Sequence, residues 1–262
     1  WHLGKLFGQR HMTEDQAYVL EELLTLCKDV RPNALVIAGD VYDRAIPPPE
    51  AVELFNHILT RLAEQGIAVL FISGNHDSAV RLHFGAQLLR ASGIYPAGTV
   101  RADEAPVVFS DEFGPVYFSL IPYGDPPHVR AAFSVEEALS FDTALAVQIA
   151  AARAQIPAAA RSVAVAHAFV IGGQVSESEH ALSVGGSDQV SAENFTAYSY
   201  TALGHLHAPQ RAGAENIRYS GSLLKYSFDE ACQKKGVELV ELDAEGMASH
   251  TFYPLTPRHD VR

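Results

Sequence analysis

Four short apolar runs in this chain each end on a polar residue able to ligate or catalyse. That recurrence constrains the fold more than any other feature. The run Ile67 to Ile72 stops at Ser73-Gly74 and leads into Asn75-His76-Asp77. Ala34 to Ala38 stops at Gly39-Asp40, Ser162 to Ala166 at His167, and Tyr198 to Leu203 at Gly204-His205-Leu206-His207. A short β-rich run punctuated by Gly reads as a buried strand. In an open α/β sheet, the C-terminal ends of the strands are where ligands bind. One such ending is commonly just a turn, and a lone His there is usually a hydrogen-bonded structural residue. The set predicts strands that deliver polar side chains to one shared edge.

The intervening segments fit that plan. Thr13-Glu14-Asp15-Gln16 reads as an N-cap with a capping box, and Ala17, Leu20, Leu23, Leu24 and Cys27 continue at helical spacing. Pro47-Pro48-Pro49 leads into a helix over Glu50 to Gln65 that stops at Gly66, so residues 34 to 72 form a β-α-β unit with a right-handed crossover expected. A third helix is predicted over Val80 to Ser92, strands over Val107 to Pro122 with a turn at 111–114, and a helix over Asp142 to Gln155. Residues 171 to 190, rich in Gly and Ser, read as a long surface loop. The tail is β-rich, with strands at Ile217 to Tyr219, Gly236 to Leu242 and Ala248 to Tyr253. One α/β domain over 1–262 is expected, a mixed β core with flanking helices.

Composition excludes several classes. With 262 residues and 48% hydrophobic content the chain can bury a core, and no apolar run approaches a membrane span. Two cysteines, Cys27 and Cys232, make no disulfide framework, and a reducing, cytoplasmic setting is expected. The opening Trp1-His2-Leu3-Gly4 has no initiator Met and reads as a start from which the first residues are missing, with no signal peptide expected. A net charge of −12 argues against coating nucleic acid by bulk electrostatics. It does not exclude a nucleic-acid enzyme, because bound dications invert the local field.

The strand-end residues His2, Asp40, Asn75, His167, His205 and His207, with Asp43, His76 and Asp77 nearby, form a mixed N/O donor set larger than one tetrahedral site needs. Two ions are the natural reading. Ions about 3.5–4 Å apart clamp the attacking and leaving oxygens of a phosphoryl displacement. A carboxylate must bridge such a pair, and Asp40 is the best-placed candidate. His205 and His207 either share one side of an extended strand or splay towards different ions. Lys5, Arg10, Arg44 and Arg81 are candidate phosphate contacts.

These blocks, Gly39-Asp40-Val41-Tyr42-Asp43, Gly74-Asn75-His76-Asp77, His167 and Gly204-His205-Leu206-His207, resemble the ordered motifs of the calcineurin-like metallophosphoesterases. Within that superfamily, Trp1-His2-Leu3-Gly4, Tyr219-Ser220-Gly221-Ser222 and Ser227-Phe228-Asp229-Glu230 are similar to the SbcD type, DNA-repair nuclease subunits working with an SbcC-type ATPase. The resemblance implies a β-sandwich flanked by helices (α/β/β/α) and two divalent ions, Mn2+ fitting best. It gives one ion to His2, Asp40 and His207, and the other to Asp40, Asn75, His167 and His205. His76 becomes the general acid or transition-state stabiliser, Asp77 its orienting partner, and Asp43 an outer or substrate-orienting group. DNA, an SbcC-type ATPase and a homodimer are the implied partners. The resemblance also places the Asp of an Asp-x-His block, on a buried first strand, immediately ahead of Trp1. DNA-capping and ATPase-binding regions are expected beyond Arg262. Three functions compete: a DNA exo- and endonuclease, a small-molecule phosphodiesterase on the same scaffold, and a protein-binding scaffold without ions.

Overall fold

Two parallel pairings set the architecture. In the computed structural model, which describes residues 1–180 and 188–261, Ala34 pairs with Ala68 and Val69 with Ile94. The chain begins with a short hairpin, β1 (Leu6–Phe7) and β2 (Arg10–His11), and helix α1 (Thr13–Val30). Strand β3 (Ala34–Ile37), helix α2 (Pro49–Glu64) and strand β4 (Ala68–Ile72) follow. Helices α3 (Ala79–His83) and α4 (Ala86–Arg90) lead to β5 (Ile94–Ala97), which completes the three-stranded parallel sheet β3-β4-β5.

The second sheet is mixed. It draws on β6 (Val107–Asp111), β7 (Gly114–Ile121), β8 (Arg161–His167), and, beyond the two-stranded pair β9 (Phe169–Val170) and β10 (Gln189–Val190), on β11 (Tyr200–Gly204), β12 (Gln210–Ala212) and β13 (Ala214–Tyr219). Its order is β12-β13-β11-β8-β7-β6. Helices α5 (Pro126–Phe133) and α6 (Phe141–Arg153) connect β7 to β8, and α7 (Glu177–His180) follows β9. A hairpin, β14 (Gly236–Leu242) with β15 (Met247–Pro254), closes the chain.

Three apolar clusters stack these layers. Leu20, Leu23 and Leu24 of α1 and Phe55, Ile58 and Leu62 of α2 pack with Ile37, Val69 and Phe71 on one face of the first sheet. Leu70 and Ile72 on its other face meet Val116, Leu120, Val163, Val165 and Tyr200 of the second. Leu145 and Ile149 of α6 cover the outer face of that sheet with Ala164, Ala166 and Ile217. Alternate residues of β4 and β8 thus point into different clusters, as the two-residue period of a strand requires. The order helix, sheet, sheet, helix is the expected α/β/β/α sandwich. A cavity of about 550 Å³ lies beside β3, lined among others by Val36, Ala38, Val163, Tyr200, Ala202 and Val240.

Several expectations need correction. Helix α1 has Met12 at its N-cap and no side-chain cap; the Thr13 hydroxyl is buried without a partner. Gln16, expected in a capping box, instead turns to the loop around His2. The helix predicted over 80–92 is two short helices, broken where Phe84 is extended and Gly85 adopts φ 72°. The parallel strand β5 was hidden in that pattern because its four residues include Pro96. Residues 171–190 are not simply a surface loop: α7 and β10 lie within them, and Ser176 and Glu179 are buried. The remainder of that expectation, residues 181–187, lies outside the described residues.

Candidate metal centre

All four strand-end blocks converge. Asp40 follows β3, Asn75 and His76 follow β4, His167 ends β8, and His205 and His207 follow β11. Parallel pairing of β3 with β4, and of β8 with β11, puts those C-terminal ends at the same edges of the two sheets. His2 joins them because its N–H bonds the Asp40 carbonyl at 2.8 Å, and Leu3 bridges Tyr42 in parallel.

Asp40 is the centre of the arrangement. Its Oδ2 lies 3.6 Å from His2 Nε2 and 3.3 Å from His167 Nε2, while Oδ1 accepts the His76 backbone N–H at 3.0 Å. On the His167 side, Nε2 also lies 2.9 Å from Asn75 Oδ1, and His205 Nδ1 lies 3.3 Å from the same oxygen. On the His2 side, Nε2 meets His207 Nε2 at 3.0 Å. Ligand atoms of His2, Asp40 and His76, and separately of Asp40, His167 and His205, each fall within 4.8 Å of one another. Asp40 belongs to both groups. His205 and His207 splay, the first towards Asn75 and the second towards His2.

The donor set fits cations. His167 Nδ1–H donates to the Ala38 carbonyl at 2.8 Å, so in the neutral ring Nε2 turns a lone pair towards the Asp40 carboxylate. Two acceptors at that separation need a proton or a metal ion between them. Burial would lower the His167 pKa, but Asp40 outweighs it and the pKa rises. Burial would likewise raise Asp40, yet His167 and His2 hold its carboxyl well below the usual range. For His205 the Asp40 charge compensates too little: burial, then the neighbouring His167, push it down to about 3. His2 is lowered for the same first reason, and its Nδ1 is buried without a hydrogen bond. Neutral rings at His2 and His205 beside an ionised Asp40 are what divalent ions require of their ligands, and an ion would take the place of the proton that Asp40 favours on His167.

The backbone is bent to make this site. Five non-glycine residues among those described have positive φ. Arg31 and Ser134 are helix C-caps, but the other three are His2 (53°), Asp40 (48°) and His205 (105°). Such conformations cost of order 1–3 kcal/mol each and persist where surrounding structure imposes them. Two motif glycines are needed for close approach. A Cβ on Gly74 would overlap the Asp40 carboxylate, and one on Gly204 the Ala38 carbonyl.

The remaining expected residues are placed as follows. The hydrogen bonds of Asp77 run to backbone groups and not to the His76 ring. The Asp77 carboxylate accepts backbone N–H groups from Val41 (3.0 Å), Tyr42 (2.9 Å) and Gly74 (2.9 Å), stapling the Asp40 loop to the Asn75 loop. Burial first, then the Asp40 charge, raise its pKa to about 6. The His76 ring is oriented by the Asp43 backbone, Nδ1–H donating to that carbonyl at 2.8 Å. The Asp43 carboxylate pairs with Lys5 at 2.9 Å and lies 3.7 Å from His2 Nδ1. Arg10 is engaged with Asp15 at 3.3 Å, while Arg44 and Arg81 are exposed.

Sequence reading missed the groups behind the histidines. Gln16 Nε2 donates to the His2 carbonyl (2.7 Å) and to the Tyr226 hydroxyl (3.0 Å), and its Oε1 accepts from Gly4 N–H (3.1 Å). Tyr226 in turn donates to the Trp1 carbonyl at 2.6 Å. Ser178 and Glu230 contact His207 Nδ1 at 2.7 and 3.2 Å. The one signal for them in the sequence is the stretch Ser227 to Glu230, which carries part of the family resemblance.

Comparison with known proteins places this geometry. Residues 1–151 match the family model described as calcineurin-like phosphoesterase. The whole chain is 30% identical over 262 residues to the SbcD subunit of the nuclease SbcCD from Staphylococcus epidermidis, covering 69% of that protein. Among solved structures, TT1561 of Thermus thermophilus aligns with a TM-score of 0.49 at 12% identity, over 91% of this chain and 94% of that one. That family consists of divalent-metal hydrolases, and among the described residues no helix is long and apolar enough to cross a membrane. A model match to more than half of the chain and a relative matched along all of it agree: this chain belongs to the calcineurin-like phosphoesterases.

Proposed function

We propose that this chain hydrolyses DNA phosphodiesters at a centre of two divalent ions, as an SbcD-type nuclease subunit working with an SbcC-type ATPase. The observation that carries the metal reading is Asp40 Oδ2, within 3.6 Å of His2 Nε2 and 3.3 Å of His167 Nε2, in a residue shared by both donor groups. The similarity to a nuclease subunit along the full chain supports the substrate and the ATPase partner.

In this reading His2, Asp40 and His207 hold one ion, and Asp40, Asn75, His167 and His205 the other. Ions there supply Lewis-acid neutralisation of phosphate charge and hydroxide at neutral pH. The mixed imidazole and oxygen donors suit manganese. His76, whose Nδ1–H is committed to the Asp43 carbonyl, acts from its doubly protonated form, Nε2–H giving its proton to the leaving oxygen and leaving the neutral Nδ1–H ring. Asp43 fixes that ring through its carbonyl and holds Lys5 beside the site through its carboxylate. Asp77 keeps the two ligand loops in register.

The acidic chain holds a polyanion poorly alone, since Lys and Arg contacts supply most non-specific affinity for DNA. A second copy in a homodimer and the ATPase supply the missing grip. The discriminating experiment is a Mn2+-dependent assay on the full-length protein, comparing linear duplex and single-stranded DNA with small cyclic and aryl diesters. DNA cleavage, stimulated at duplex ends by the ATPase, is expected. Efficient hydrolysis of the small diesters with no DNA cleavage, partner present, would replace this reading with a small-molecule phosphodiesterase.

A further inference from the structure

Behind His207 lies a closed polar cluster that the ligand set does not account for. Glu230, fully buried in the 3-10 turn Phe228–Cys232, is its hub. Its Oε1 accepts the Ser178 hydroxyl at 2.6 Å and lies near those of Ser227 (2.9 Å) and Ser176 (3.2 Å), which also reach Asp229 and Glu179. The same oxygen lies 3.2 Å from His207 Nδ1. Its Oε2 pairs with Lys235 at 2.6 Å and accepts the Tyr226 N–H at 3.3 Å. Lys235 also donates to the His207 carbonyl at 2.7 Å, and Glu179 accepts the His207 N–H.

A carboxylate this deep is costly unless every lone pair is used, and an apolar residue of similar volume would ordinarily serve the core as well. The arrangement gains something an apolar residue cannot give. Ser178 spends its proton on Glu230, so the Ser178 oxygen 2.7 Å from His207 Nδ1 acts there as an acceptor. The other neighbour of Nδ1 is the Glu230 carboxylate itself. Both partners are acceptors, so Nδ1 carries the proton and Nε2 is left as a lone pair aimed towards His2.

We infer that Glu230 is a positioning residue: with Ser178 it fixes His207 as the Nδ1–H tautomer and holds its Nε2 ready for a cation. Lys235 neutralises the carboxylate and anchors the His207 backbone, so ring and main chain are set by one cluster. Ser176 and Ser178 bring the segment around α7 into the same cluster, coupling that segment to the ligand. The inference rests on His207 being a metal ligand, as proposed above. Partners of this kind outside the ligand shell are typically worth 10–100-fold in metal affinity.

The test uses the full-length protein labelled with 15N-histidine. Long-range 1H–15N spectra of the metal-free protein report the tautomer, and calorimetry with Mn2+ reports affinity. Wild type is expected to show the Nδ1–H signature for His207. Glu230→Gln, which can place an amide N–H against Nδ1, should shift the ring towards Nε2–H and weaken one Mn2+ site 10–100-fold. Glu230→Asp should restore part of both. A folded Glu230→Gln protein with unchanged tautomer and Mn2+ affinity within threefold of wild type would overturn the inference. Should Glu230→Gln fail to fold, the metal-free wild type decides: the Nδ1–H signature at His207 supports the inference, and an Nε2–H signature overturns it. A wild type with the Nδ1–H signature that binds no Mn2+ contradicts the metal reading alone, because the tautomer is read without metal.

Discussion

The Nε2 atoms of His2 and His207 face each other at 3.0 Å although 205 residues separate them in the chain. If both serve one ion, either substitution removes the same ion. His2→Ala and His207→Ala should each lose one of two bound Mn2+ by elemental analysis, and the double variant should lose no more. Stepwise loss of both ions across the pair would place them in different sites.

The Asp77 carboxylate gathers three backbone N–H groups from two ligand loops. Asp77→Ala leaves those donors without their partner, each buried loss being worth about 1–3 kcal/mol. A lowered urea midpoint and weakened Mn2+ binding are expected together. Normal stability and Mn2+ affinity with a large fall in turnover would return Asp77 to a role in catalysis.

His76 separates chemistry from metal binding. With Nδ1 held by the Asp43 carbonyl, His76→Ala should keep its Mn2+ and its DNA affinity. Turnover should fall by about 10²–10⁴-fold, the usual worth of a general acid. A fall below tenfold at neutral pH removes His76 from the proposed step, and loss of an ion moves it into the ligand set.

Acid should destabilise the metal-free protein in a defined window. Burial holds His205 at about 3, and lowers His2, while an unfolded histidine titrates near 6.5. Below about pH 6.5 the unfolded chain therefore binds protons that the folded chain refuses. Stability falls as pH drops towards 3, by about 1.4 kcal/mol per pH unit for each such residue. His167, whose folded pKa is raised, acts above 6.5, where its contribution fades as pH rises through the folded value. Asp77, held at about 6, binds its proton in the folded chain first and offsets part of this loss below pH 6. Urea midpoints in EDTA at pH 7, 6 and 5 should still decline for the two histidines, less steeply in His205→Gln. A flat profile in wild type would contradict neutral burial of these rings.

Much of this was legible because the chemistry follows strand ends. The runs ending at Gly39-Asp40, Gly74-Asn75 and Gly204-His205 announce both the buried strands and the edge where they meet. Strand β5 was not legible, since four residues containing Pro96 between helix-like stretches carry no period. Nor was the partnership of Gln16 with His2, because a glutamine in the first turn of a helix reads equally well as a cap. Glu230 stayed hidden for a different reason. Its worth comes from Ser176, Ser178 and Lys235, groups that only the folded chain brings around it.

Asp40 remains the residue on which the account turns. The most direct measurement is an anomalous difference map from crystals of the full-length protein soaked in Mn2+, for wild type and Asp40→Asn. Two peaks are expected in wild type, about 3.5–4 Å apart, with the Asp40 carboxylate between them, His2 beside one and His167 beside the other. Asp40→Asn should weaken both peaks together. A single peak in wild type, or two at full strength in folded Asp40→Asn, would contradict it.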